Sequence, residues 1–198
     1  MTSTAPVIDR RAAVVRLLES RGDGLVVSGL GSPTFDVFAA GDSPLNFYLW
    51  GAMGGAAMVG LGLALAQPAR RVLVVTGDGE MLMGLGSLAT IGARRPANLA
   101  IVVLDNQSYG ETGMQPSHTA RGVDLAGIAL AANFREAATI VTHAELDACA
   151  GSVWSAPGPT LAAIKIMVAR PPLRVPLRDG THIKSRFREA VLGPQAFV

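Results

Sequence analysis

Two short stretches carry the residue types that can hold a cation against an anionic ligand. The first is Gly77-Asp78-Gly79, a carboxylate between two glycines, directly after the apolar run Arg71–Thr76. Glycines let the backbone turn tightly and approach a ligand. A helix starting beyond them offers free N–H groups and a positive dipole end, a seat for phosphate. An aspartate there repels a bare phosphate and makes sense with a divalent cation between the two. The second stretch, Asp105-Asn106-Gln107-Ser108-Tyr109-Gly110, follows the apolar run Leu99–Leu104. Asn106 lies 28 residues after Asp78, one strand–helix–strand unit. Such a crossover brings both side chains to neighbouring strand ends, where open parallel sheets bind ligands. A carboxylate oxygen, an amide oxygen and a loop carbonyl form a hard set suited to Mg²⁺, with diphosphate oxygens completing the octahedron. Singly, Gly-Asp-Gly reads as a turn and Asp-Asn as a cap; the joint spacing favours the cofactor.

The elements that must position these residues follow from periodicity. Arg10–Ser20 reads as an amphipathic helix, Leu25–Val27 as a short strand and Gly29–Pro33 as a turn. Arg71–Thr76 and Leu99–Leu104 suit strands buried on both faces. Met81–Ala93 reads as one helix stopped by Arg94-Arg95-Pro96. Asp124–Asn133 and His143–Trp154 are further helices, with strands at Ala138–Val141 and Thr160–Val168. Past about residue 170, Pro171, Pro172 and Pro176 lead to a helix at Thr181–Leu192. Alternating apolar strands and helices give an α/β fold: an open, mostly parallel sheet with helices on both faces, residues 1–198 forming a single domain with a C-terminal extension.

Composition narrows the function classes. The chain has 198 residues, with 49% hydrophobic and 16% charged, so it has material for one sizeable core and not for disorder. Net charge is +2 with no dense basic run, which argues against a nucleic-acid partner. A lone Cys149 forms no internal disulfide, fitting a reducing, cytoplasmic setting. The N-terminus has no apolar h-region. Ser43–Ala69 carries no charge and is long enough to span a bilayer, but its five glycines between Gly51 and Gly62 and missing basic flank favour a loop followed by a glycine-rich helix buried on a sheet.

On these residues the chain resembles the diphosphate-binding domain of thiamine diphosphate (ThDP)-dependent enzymes. That family's motif is Gly-Asp-Gly, a gap of roughly 25 to 30 residues, the length of one α/β crossover, and then an Asn-Asn or Asp-Asn pair. The resemblance implies that Asp78, Asn106 and the carbonyl of Ser108 bind Mg²⁺, and that Gly77, the N–H groups of Gly79 and Glu80, and the neighbouring Tyr109 and Gly110 belong to the cofactor site. Gly51-Ala52-Met53-Gly54 is similar to the Gly-Thr-Met-Gly of acetolactate-synthase-like members. That match implies a Gly51 carbonyl accepting from the cofactor's 4′-amino group and a Met53 wedge under its bend; taken alone, Met53 reads as core filling. Asn46 through Thr119 looks like the small split branch of sulfopyruvate decarboxylase β subunits and phosphonopyruvate decarboxylases.

Three positions depart from that branch. Glu80 stands where a small Ser is common, and an acid beside diphosphate is unfavourable unless it points away or pairs with a base. Glu111 stands where a small residue is frequent, and His118 follows Gln115-Pro116 where small polar residues are usual. Glu111, Gln115 and His118 are candidates to move protons or hold a substrate carboxylate, although Glu111 and His118 read equally well as solvated loop residues. The family's activating glutamate sits on a pyrimidine-binding domain, which this chain lacks. The resemblance therefore implies a partner subunit (α type) in a hetero-oligomer, with the apolar surface around Met53 as the contact. It also implies a ThDP-dependent decarboxylase or carboligase acting on a small 2-oxo acid or α-diketone, with an aldehyde as possible acceptor. A binding or regulatory module that kept the fold and lost catalysis is the competing reading. A nucleotide-binding dehydrogenase lacks the Gly-x-Gly-x-x-Gly it would need.

Overall fold

The computed structural model describes residues 8–169 and 171–197. Six strands form one parallel sheet: β1 (Leu25–Ser28), β2 (Asn46–Tyr48), β3 (Val72–Gly77), β4 (Leu99–Asp105), β7 (Glu136–Ile140) and β8 (Thr160–Lys165), in the order β2-β1-β3-β4-β8-β7. Two further short strands, β5 (Ser108–Tyr109) and β6 (Gln115–Pro116), pair antiparallel in the loop after β4. The helices are α1 (Arg10–Leu18), α2 (Ser32–Ala39), α3 (Ala56–Ala66), α4 (Asp78–Met83), α5 (Gly86–Arg94), α6 (Leu125–Ala131), α7 (His143–Ser155) and α8 (Gly180–Leu192).

Successive strand residues point to opposite faces, so a strand buried on both sides must be apolar throughout. In β3, Leu73 and Val75 pack with Ala13, Val14 and Leu17 of α1 and Leu146 and Val153 of α7. Val72 and Val74 face the other way, toward Leu61 of α3, Leu88 and Ile91 of α5, and Leu125 of α6. Helices thus cover both faces. The C-terminal α8 closes the β2 edge, where the Phe47 and Phe187 rings meet edge to face, their centroids 5.4 Å apart.

Three features differ from the sequence expectation. Ser32–Ala39 is helical, because Pro33 sits in the first turn, where its missing N–H costs no bond. Asn46–Tyr48 adds a short edge strand beside β1. The helix expected over Met81–Ala93 is two helices; a side chain at Gly84 would collide with the Gly54 carbonyl, and the backbone breaks where that loop lies against it. The uncharged stretch Ser43–Ala69 divides into β2, a loop and α3, and among the described residues no helix is long and apolar enough to cross a membrane. Gly60 in α3 meets Val74 so closely that a Cβ would overlap the valine methyl, which accounts for a glycine in mid-helix.

The chain leaves β1 toward β2 on one side and leaves β3 toward β4 on the other. The loops after β1 and β3 therefore diverge, and a crevice opens between them at the strands' carboxyl ends, as in other open parallel sheets.

Candidate functional site

Asp78 opens α4 directly after β3, and Asn106 follows β4, with Gly77 opposite Leu104 in the ladder between them. Both residues line one cavity of about 200 Å³, together with Gly77, Gly79, Ser108, Tyr109, Gly110 and Met53. Glu80 and Glu111 line it too, while Gly51, Gln115 and His118 do not.

Asp78 is only 2% exposed. The Ser117 hydroxyl donates to its Oδ2 at 2.5 Å. Thr119 Oγ1 lies 2.9 Å from the Ser117 hydroxyl and donates to Asp105 Oδ1 at 2.7 Å. Asp105 is saturated: its Oδ1 also accepts from the Gln107 N–H at 3.0 Å, and Lys165 Nζ donates to its Oδ2 at 2.5 Å. Asp78 has hydroxyl partners and, among the described residues, no Lys, Arg or His paired with it. Burial and the nearby Asp105 charge push its carboxyl up, against the Ser117 hydrogen bond, which favours the anion.

The loop after β4 is folded so that it serves this carboxylate. Asn106 Oδ1 accepts from the Ser108 N–H at 3.0 Å, a local turn that orients Ser108. The β5–β6 pairing sets Ser108 opposite Pro116, and the Ser117 N–H donates to the Gln107 carbonyl at 2.9 Å. Ser117 is thereby delivered beneath Asp78. Tyr109 and Met53 both close on Gly79: a Cβ there would lie 2.7 Å from Tyr109 Cδ1 and 3.7 Å from Met53 Cε. Tyr109 Oη and His118 Nδ1 share a hydrogen bond of 3.1 Å. Gln115 exchanges two 2.9 Å bonds with Thr112. The Glu111 carboxylate lies against Gly31, at the start of α2.

Glu80 turns its carboxylate away from Asp78's hydroxyl partners. Oε2 accepts from the Leu30 N–H at 2.9 Å and the Thr76 hydroxyl at 3.0 Å, and Oε1 from the Ala56 N–H at 3.4 Å. Burial pushes its pKa up, and these donors oppose the shift. The base that could have paired with it is replaced by backbone amides.

Sequence reasoning did not single out Ser117, Thr119 or Lys165 as site residues, nor Arg10 and Asp36, which line the same cavity and are joined by an ion pair of 2.9 Å. The signal for Ser117 and Thr119 was weak: two small hydroxyl residues after a Gln-Pro pair.

The residues fit a Mg²⁺–diphosphate group. The donors are hard oxygens, and a buried carboxylate that pairs with no cation among the described residues stands at the strand ends. Among the described residues no cluster of three or more His, Cys, Asp or Glu side chains is arranged for a metal; the expected set has one carboxylate, one amide and one carbonyl.

Sheet order and crevice together define an open parallel α/β domain with its cavity at a topological switch point. The family model for the C-terminal TPP binding domain of thiamine pyrophosphate enzymes (thiamine pyrophosphate is ThDP) matches residues 31–164, and the chain belongs to this family. It is 36% identical over 187 residues to sulfopyruvate decarboxylase subunit beta of Methanothermobacter thermautotrophicus, covering 94% of this chain and 97% of that one. It is 40% identical over 192 residues to phosphonopyruvate decarboxylase of Streptomyces viridochromogenes, covering 94% of this chain but only 47% of that longer protein. Among solved structures, benzoylformate decarboxylase of Polynucleobacter necessarius shares the fold at a TM-score of 0.70 and 21% identity, covering 87% of this chain and 36% of that one.

Proposed function

We propose that the chain is the ThDP- and Mg²⁺-binding subunit of a heteromeric 2-oxo acid decarboxylase or carboligase. The observation that carries this reading is Asp78, a buried carboxylate with no paired cation among the described residues, sharing one cavity with Asn106 and Ser108. The Asp78 carboxylate, the Asn106 amide oxygen and the Ser108 carbonyl hold Mg²⁺. The N–H groups of Gly79 and Glu80 would serve the diphosphate, Met53, beside Gly79 on the cavity wall, would support the cofactor, and the Gly51 carbonyl, just outside that wall, would accept from its amino group.

When bound, ThDP supplies a carbanion for attack on the carbonyl of a 2-oxo acid or α-diketone and an electron sink for the bond that then breaks. The chain's own residues bind and shield. The segment Tyr109–Arg121, pinned by β5–β6 and by Ser117, covers the Asp78 end and excludes water. Glu111 on the cavity wall and His118, bonded to Tyr109, are the residues we assign to hold or move a proton, and Gln115 steadies the same loop through Thr112.

The activating glutamate belongs on a partner subunit of α type, consistent with a relative named as a beta subunit that this chain covers almost end to end. Small 2-oxo acids are the substrate class, with sulfopyruvate and phosphonopyruvate the first to try and an aldehyde the acceptor for ligation. The buried, unpaired Cys149 fits a cytoplasmic setting.

The test is titration of ThDP into the full chain with Mg²⁺, followed by addition of a subunit carrying a pyrimidine-binding domain and measurement of CO₂ release. Wild type should bind ThDP alone and release CO₂ only with the partner, while Asp78→Ala should bind no ThDP. Retained ThDP affinity in Asp78→Ala would overturn the metal assignment.

A further inference from the structure

Glu80 is a 5% exposed carboxylate to which the chemistry above gives no side-chain role. Among the described residues its hydrogen-bond partners are neutral donors: the Leu30 N–H, the Thr76 hydroxyl and the Ala56 N–H. Burying a carboxylate without a cation costs free energy unless several donors surround it, so a residue in this position is held for what it ties together. Its donors come from three different segments. Leu30 is in the loop after β1, Thr76 is at the end of β3, and Ala56 is the first residue of α3.

Two further details fit a tether. The N-cap of α3 is Gly55, which has no side chain to accept from the helix's first amides; the Glu80 carboxylate reaches across and accepts from one of them. In the other direction, a Cβ at Gly29 would collide with the Glu80 carboxylate. The loop after β1 carries a glycine where the acid needs room, so Gly29 and Glu80 form a matched pair.

Resting on the cofactor reading above, we infer that Glu80 is a positioning residue: it fixes the loop Gly51–Met53, just before α3, at a set distance from the Gly79–Asp78 turn, so that both ends of one cofactor are met at once. Glu80 lies two positions beyond Asp78 in α4, and its carboxylate is anchored to the segment that follows Met53. A ligand spanning both ends feels this tether, whereas a ligand filling only the Asp78 end does not.

The experiment compares Mg²⁺-ThDP with Mg²⁺-pyrophosphate as ligands of the full chain, by calorimetry, in wild type, Glu80→Ala and Glu80→Gln. Amide hydrogen exchange at Leu30 and Ala56 is measured in the same proteins without ligand. Glu80→Ala, which keeps the backbone N–H at position 80, should weaken ThDP binding at least tenfold more than pyrophosphate binding and speed exchange at Leu30 and Ala56 at least tenfold. Glu80→Gln keeps one acceptor oxygen and should fall between; it also decides the matter if the alanine variant does not fold. Equal weakening of both ligands, or unchanged exchange at the two amides, would overturn the positioning role and leave the cofactor site standing. Wild type that binds neither ligand would overturn the cofactor reading and this role with it.

Discussion

The hydroxyl of Ser117 donates to Oδ2 of Asp78 at 2.5 Å, across 39 positions of sequence. One loop serine thus holds the carboxylate on which the proposed metal site depends. Removing that hydroxyl leaves Asp78 Oδ2 with Thr119 at 3.3 Å, whose hydrogen is directed to Asp105. Ser117→Ala should cost about 1–3 kcal/mol of stability, the penalty of a buried acceptor losing its donor. It should also weaken Mg²⁺-dependent ThDP binding several-fold. Urea denaturation and calorimetry check the two effects; an unchanged midpoint and affinity would show that the hydroxyl is dispensable.

Lys165 neutralises Asp105, which is 1% exposed. Lys165→Met leaves that carboxylate buried without a cation, and breaking such a pair costs about 3–5 kcal/mol. The double variant Lys165→Met/Asp105→Asn should recover more than half of the loss. Thermal denaturation of the two singles and the double completes the cycle, and simple additivity would argue against the pairing.

Gly60→Ala puts a methyl into Val74. Overpacking of this kind costs about 1–3 kcal/mol, and Val74→Ala in the same chain should return part of it by making room. The check is the chemical denaturation midpoint of all three variants.

Burial pushes the Cys149 thiol up from its ordinary value of 9.0 to about 11. The folded pKa is above the unfolded one, so the contribution is whole below about pH 9 and is lost as pH climbs through 11, some two units or about 2–3 kcal/mol. Urea midpoints from pH 8 to 11 should fall more steeply in wild type than in Cys149→Ala. At pH 8 a thiol reagent should modify Cys149 only as the protein unfolds.

The strands that carry the site were legible because a two-face-buried strand has to be an unbroken apolar run, as Val72–Val75 and Leu99–Leu104 are. Asp78 and Asn106 were legible through their positions directly after those runs. Ser117 and Thr119 were not, because they reach the site only through the fold of a loop that no periodicity describes. The division of α4 from α5 was hidden for another reason: it falls at Gly84, where Gly54, thirty residues upstream, lies so close that no side chain would fit. Ser32-Pro33 reads as a turn locally and becomes a helix start once Val37 has a sheet to pack on.

The C-terminal segment reaches back to Trp50. The indole Nε1–H donates to the Leu177 carbonyl at 3.3 Å, and the Arg178 guanidinium stacks 4.9 Å above the ring. Trp50 is covalently joined to Gly51, so Leu177 and Arg178 buttress the peptide that would greet the aminopyrimidine. Shortening or re-routing that strap would tilt the shelf from behind while leaving Asp78 and Asn106 where they stand.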